Sequence, residues 1–265
     1  MTSNEAVTVI EAATDPRVLF GADPHREYRR LARLTHPDAH PGSQRAAAAF
    51  AKLAALWQRY QGLPGGLIAV GDIANLYEHE RGLLKIARDP ADNNLLDREA
   101  AALQRLSSRS DSRFLSYVPE LIGTQRHLDP GSGTKRRANL ISRLHEFVTL
   151  AEVHVAYPDG LGPRDAAWMW RRLLVAIGFA HRAGVIHAAV LPEHALIHPA
   201  EHGLVLVDWC YAITGPASRP AAVPAAYADW YPAEVLRRQP AGQDLDIWLA
   251  TRCMTWLMGS GHRDG

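Results

Sequence analysis

The sequence predicts an α+β protein of two joined modules, a small all-α one over residues 1–62 and a larger mixed one over residues 67–265. Three observations carry this reading. The first stretch is rich in helix formers, arginine and alanine and shows little sign of strand. Gln61-Gly62-Leu63-Pro64-Gly65-Gly66 then breaks the pattern. From Leu67 onward, short strand-like runs alternate with helical periodicity.

The bulk numbers exclude several classes. At 265 residues, with 47% hydrophobic and 22% charged residues, the chain has an ordinary globular balance and is too apolar for a disordered one. A net charge of +1 gives no electrostatic case for nucleic acid or an acidic membrane as a partner. Two cysteines, Cys210 and Cys253, are too few for a disulfide framework or a zinc cluster. The opening MTSNEAVTVIEAATD has no basic region followed by an apolar run, so no secretory signal is expected. Thr2 in place of glycine excludes myristoylation, and no apolar run is long enough to span a bilayer. The expectation is a cytoplasmic protein.

In the first module, Tyr28, Leu31 and Leu34 make an apolar stripe on a helix whose other faces carry Arg26, Arg29, Arg30 and Arg33. His36-Pro37-Asp38 follows, where proline disfavours helix at His36 and turns the chain. A second helix starts near Gln44, with Phe50, Leu53 and Trp57 on one face. The product is an antiparallel helical hairpin with a polar tip and a basic flank.

Together with Asp15-Pro16, Leu19-Phe20-Gly21 and the flanking Y-R-R-L-A-R-L-T and F-A-K-L-A-A-L-W, this resembles the J-domain of DnaJ-type co-chaperones. The resemblance implies that Arg29, Arg30, Arg33, His36, Pro37 and Asp38 dock on a DnaK-type chaperone and stimulate its ATP hydrolysis. One departure is the stretch between Gly21 and Tyr28, which is shorter than the family's by about a helical turn. The alternative is a generic hairpin with a solvated basic face.

In the second module, strand-like runs fall at Leu67–Val70, Leu83–Ala87 and Glu146–Leu150, with a helix over Leu95–Leu106. Beyond Pro163 the chain reads as mostly helical, except for paired strands at Ala195–Ile197 and Leu204–Val207 and an exposed proline-rich loop from Thr214 to Ala226. Lys85 sits within the apolar Leu84-Lys85-Ile86, where a buried ammonium needs an anion, and Glu99 could supply it. Further on come His187-Ala188-Ala189-Val190-Leu191-Pro192-Glu193-His194, Val207-Asp208-Trp209-Cys210, Tyr231-Pro232-Ala233-Glu234 and Asp246-Ile247-Trp248.

That order resembles a protein kinase from Leu67 to about Met258, and implies a truncated two-lobe kinase-like fold. The resemblance gives Lys85 the phosphate-anchoring role, Glu99 the pairing role, and Asp208 and His194 the metal-binding positions, with ATP and Mg as the implied cofactors. Asp246 and Trp248 match the helix that supports the catalytic loop.

The departures point to a pseudokinase without a catalytic residue. Ala189 stands where the substrate-orienting aspartate belongs, Ala188 replaces the loop arginine, and Trp209-Cys210 follows Asp208. The phosphate loop is reduced to Gly71-Asp72-Ile73-Ala74-Asn75-Leu76-Tyr77, so nucleotide binding is expected to be weak or absent. Trp209 and Trp168-Met169-Trp170 read as core. His194, His198 and His202 recur every four residues, but Pro192 and Pro199 interrupt any helix that would align them for zinc. The expected helices after Trp248 are missing, which implies exposed apolar surface and self-association or a partner.

Three functions stay open at this stage. The first is a non-catalytic adaptor linking a DnaK-type chaperone to an unknown partner or client. The second is an atypical kinase or nucleotide transferase with Glu193 or His194 as base. The third is a purely structural interaction protein.

Overall fold

The computed structural model describes residues 1–21, 23–40, 42–61, 66–109, 111–128, 133–215 and 219–259, and gives Asp38, Gln58, Gln61 and Arg109 as backbone alone. The break expected at Gly62–Gly65 lies outside these residues. The chain divides into two units, Met1–Gly65 and Gly66–Gly265. Among the described residues no helix is long and apolar enough to cross a membrane.

The first unit holds four helices: α1 (Ser3–Ala12), α2 (Pro16–Phe20), α3 (Pro24–Thr35) and α4 (Gln44–Gln61). Their starts follow local chemistry. Thr2 and Glu5 form a reciprocal capping box at α1. Asp23 accepts from the Arg26 amide ahead of α3, where Pro24 supplies a preset φ. Helix α3 ends where His36 turns extended, as the residue before a proline must. Leu31 and Leu53 are fully buried, packed with Ile10, Phe20, Ala49 and Leu56. Tyr28, Leu34, Phe50 and Trp57 are only half-buried, and Trp57 is stacked between Tyr28 and Tyr60.

The second unit begins with a five-stranded antiparallel sheet of order β1-β2-β3-β5-β4. The strands are β1 (Leu67–Val70), β2 (Ala74–His79), β3 (Gly82–Ala87), β4 (Leu121–Leu128) and β5 (Lys135–Ile141), and α5 (Asn93–Arg109) packs on one face. Sequence reading finds β1, β3 and α5 but misses β2, β4 and β5. Strands β2 and β4 are partly exposed and polar along much of their length, and β5 opens on three cations before its buried Ala138–Ile141, so apolar alternation is absent. Gly82 opens β3 against the carbonyl of Ile141, where a Cβ would lie 2.2 Å from that oxygen. Only glycine fits there.

The remainder is mainly helical: β6 (Val148–Thr149), α6 (Leu150–Ala156), α7 (Pro163–Arg182), β7 (Ala195–His198), β8 (Gly203–Leu206), α8 (Ala233–Leu236) and α9 (Asp244–Leu257). Strands β6, β7 and β8 form a small sheet. Leu150, Leu173, Ala176, Leu206, Trp209, Leu249 and Cys253 are fully buried in one core. Glu146–Leu150, read as one strand, splits into β6 and the start of α6 because Thr149 caps the helix through Glu152. Of the loop expected over Thr214–Ala226, residues 216–218 lie outside the described ones. Pro224 there is buried, a correction to the exposed reading, and a 3-10 turn follows over Ala225–Trp230. Leu236, Ile247 and Trp248 leave apolar surface exposed on α8 and α9.

Candidate functional site

Strand alternation turns Leu84 and Ile86 to one face of the sheet, with Ala138 and Leu140, and Lys85 to the face that α5 covers. There the Lys85 ammonium meets three acceptors: Glu99 Oε1 at 2.9 Å, Asp208 Oδ1 at 2.9 Å and Cys210 Sγ at 3.2 Å. An ammonium has three protons, so its donor capacity is filled. Asn139 on β5 donates from Nδ2 to Glu99 Oε2 and to the Leu96 carbonyl, each at 2.9 Å. Cys210 and Asn139 are members of this cluster that sequence reading missed. Cys210 could have been found from its place two residues after Asp208; Asn139 sits behind three cations and gives no pattern.

The electrostatics follow from burial and proximity. Burial alone would push the Lys85 ammonium down, but Asp208, Cys210 and Glu99 outweigh it and hold its pKa well above the ordinary lysine value. Burial would raise Asp208, yet Lys85 and His194 win and keep its carboxyl well below the usual range. Burial, with Asp208 and Glu99 adding to it, pushes the Cys210 thiol up. The cluster therefore holds a charged lysine between two carboxylates and a protonated thiol.

The loop that follows α7 is held by its backbone. Asp246 of α9 is fully buried and accepts from the amides of His187 (2.8 Å) and Ala188 (2.7 Å) and from His181 Nε2 (2.8 Å). Ala188 takes a positive φ of 62°, and Tyr231 donates its hydroxyl to the Ala188 carbonyl at 3.0 Å. His187 donates from Nε2 to the Val207 carbonyl and accepts the Ala189 amide at Nδ1, a pattern only the neutral ring satisfies. Burial pushes the His187 pKa down to about 4.

Ala189, in the position where the resemblance expects a base, is fully buried and offers only a methyl group. Neither neighbour weighed as a substitute is free of other bonds. Glu193 accepts the hydroxyl of Tyr227. His194 donates from Nδ1 to the Ala189 carbonyl at 2.8 Å, which leaves Nε2 at 3.5 Å from Asp208 Oδ2.

The β1–β2 turn is closed on itself. The Gly71 amide donates to the Ala74 carbonyl at 2.9 Å, and the Ile73 amide to Asp72 Oδ1 at 2.9 Å. These two amides are unavailable to a phosphate in this conformation. Across the cleft, Tyr211 donates its hydroxyl to Asp72 Oδ2.

Glu99, Asp208 and Cys210 place ligand atoms within 4.8 Å of one another, but Lys85 Nζ already bonds to all three, which fills the cation position with the chain's own charge. The second Asp208 oxygen, Oδ2, lies 3.5 Å from His194 Nε2. His194 stands where the resemblance expects a metal-binding asparagine, and its imidazole suits softer ions than Mg. Nor do the three spaced histidines gather: His198 pairs with Glu146 at 3.5 Å and His202 stacks on Trp168.

In the first unit, Arg29, Arg30, Arg33, His36 and Pro37 are all exposed, and Asp38 lies in the 3-10 turn Pro37–Ala39 that joins α3 to α4. One charge of the basic flank is paired within the helix, and a second arginine is tied down at its backbone side. Arg30 is paired with Glu27, and Arg29 Nε donates to the His25 carbonyl at 3.1 Å.

A lysine on a sheet strand, a glutamate on the adjoining helix and an aspartate after a hairpin thus meet in one buried cluster. No family model matches the chain. Casein kinase II subunit alpha' of Saccharomyces cerevisiae is 30% identical over 66 residues, which cover 25% of this chain and 19% of that protein. The chain thus contains a kinase-like region and spans about a fifth of the curated relative it matches.

Proposed function

We propose that this chain is a non-catalytic adaptor, in which the kinase-like unit holds a client or partner and the first unit recruits a DnaK-type chaperone. The observation that carries it is the buried Ala189, which stands next to the Asp246-clasped Ala188 where phosphoryl transfer needs a base. The exposed His36-Pro37 turn between α3 and α4, beside Arg33, supports the recruiting role. Should ATP bind, Lys85 and Asp208 are the residues to hold it and its Mg; bound there, it would supply a phosphoryl group that no residue is placed to transfer. The two free buried thiols, Cys210 and Cys253, accord with a reducing cytoplasm.

The test has two arms on the full chain. Labelled ATP should give no phosphate incorporation into generic substrates or the chain itself; label lost on Asp208→Asn substitution would overturn the non-catalytic reading. A DnaK-type ATPase should accelerate with wild type and not with Asp38→Asn. Equal stimulation by both would overturn the recruiting role.

A further inference from the structure

Residues Trp209–Tyr211 form a single 3-10 turn directly after Asp208, which itself takes a left-handed φ of 60°. This short segment bonds upward at two places. Asp208 and Cys210 contact Lys85 on β3, and Tyr211 reaches Asp72 in the β1–β2 turn. Tyr211 is 1% exposed, and its ring lies nearly parallel to the His194 imidazole at 6.2 Å. The phenol therefore fills space between the sheet and the helical part, beside the Asp208 and His194 that border the candidate phosphate position. Asp72 adds a negative charge to those of Glu99 and Asp208, with Lys85 in the cleft and Arg88 bonded to the Gly71 carbonyl behind the turn. The Tyr211 pKa is raised by burial and by the Asp72 bond, so the phenol is a donor at neutral pH.

We infer that Tyr211 and Asp72 form a latch that closes this cleft against a triphosphate, and that a nucleotide enters only when their hydrogen bond opens. The inference rests on the kinase-like reading of the cleft, not on the adaptor role. A phenol donating to a carboxylate is a charge-assisted bond, of the stronger class in proteins. Opening it removes the tie from the phenol to the β1–β2 turn and leaves the turn held from its strand side, where Arg88 donates to the Gly71 and Ile73 carbonyls at 2.9 Å each. Tyr211→Phe isolates the bond, since the ring and the charge on Asp72 both remain. Asp72→Ala removes it from the other end, together with the Asp72 charge and the acceptor of the Ile73 amide, so Tyr211→Phe is the discriminating variant.

The experiment measures Mg·ATP binding to the full chain by calorimetry, and amide hydrogen exchange over residues 71–74 and 209–213. Both variants should bind Mg·ATP about tenfold more tightly than wild type, the factor that loss of one such bond makes. Exchange over 71–74 should quicken in both without ligand. The latch is overturned if affinity stays within about twofold of wild type in either variant, if neither variant binds, or if exchange over 71–74 is unchanged. Chaperone stimulation by the same proteins reads the adaptor role separately, so the two ideas fail independently.

Discussion

Replacing Lys85 by methionine keeps the length and apolar stem of the side chain and removes its charge. Glu99, whose side chain is 1% exposed, and Asp208, at 18%, then face each other without the lysine between them. Each contact at 2.9 Å is worth about 6 kcal/mol at an effective dielectric of about 20. Much of that offsets the cost of burying three charges. Orphaning the two carboxylates should therefore leave a net loss of about 3–5 kcal/mol. Urea unfolding followed by tryptophan fluorescence is a suitable assay, because all the tryptophans but Trp57 lie in the second unit. Adding Glu99→Gln to the variant should recover part of the loss. Acid should also narrow the gap to wild type, since a carboxylate without its lysine is easier to protonate when folded. A Lys85→Met midpoint within about 0.5 kcal/mol of wild type would refute the argument, because that is the scatter of ordinary surface changes.

Three other outcomes follow from the same structure. His187 is neutral when folded, with a pKa near 4 against an ordinary 6.5, so the unfolded chain takes up its proton first; stability should fall by about 3 kcal/mol as pH drops through that window, and His187→Gln should flatten the slope. Gly82→Ala puts a methyl group against the Ile141 carbonyl and should lower the melting temperature of the second unit, by about 1–3 kcal/mol in stability; an unchanged midpoint would show that the strand end yields. On the proposed recruiting role, Arg33→Glu should reduce chaperone stimulation and its dependence on salt more than Arg30→Glu does, since Arg30 is already paired with Glu27; equal effects would mean the pairing does not matter.

How much of this was legible in the sequence depends on whether a residue announces its partner. Lys85 between two apolar neighbours demanded an anion, and Glu99 on the next helix met the demand. Leu31 and Leu53 showed the first unit's core through helical spacing. Strand β5 was hidden because it opens on Lys135, Arg136 and Arg137 with no apolar alternation, although Arg137 is anchored to Asp97 on α5 and its amide to Asn93. The Tyr211–Asp72 bond was hidden for a different reason. It spans 139 positions, and neither residue carries a local signal of the other. Long-range polar contacts of this kind are set by the fold, and only the folded chain displays them.

The clasp made by Asp246 also bears on how such a protein can change over generations. It grips two amides and the ring of His181, and none of its bonds goes to the side chain of residue 188 or 189. A substitution at either position leaves every one of those bonds in place, provided the newcomer is small and, at residue 188, tolerates a positive φ. The frame of the loop is thus indifferent to whether the loop does chemistry. A lineage can discard the reactive groups while selection on folding alone preserves their mount, and a kinase-like outline is for that reason poor testimony to kinase activity.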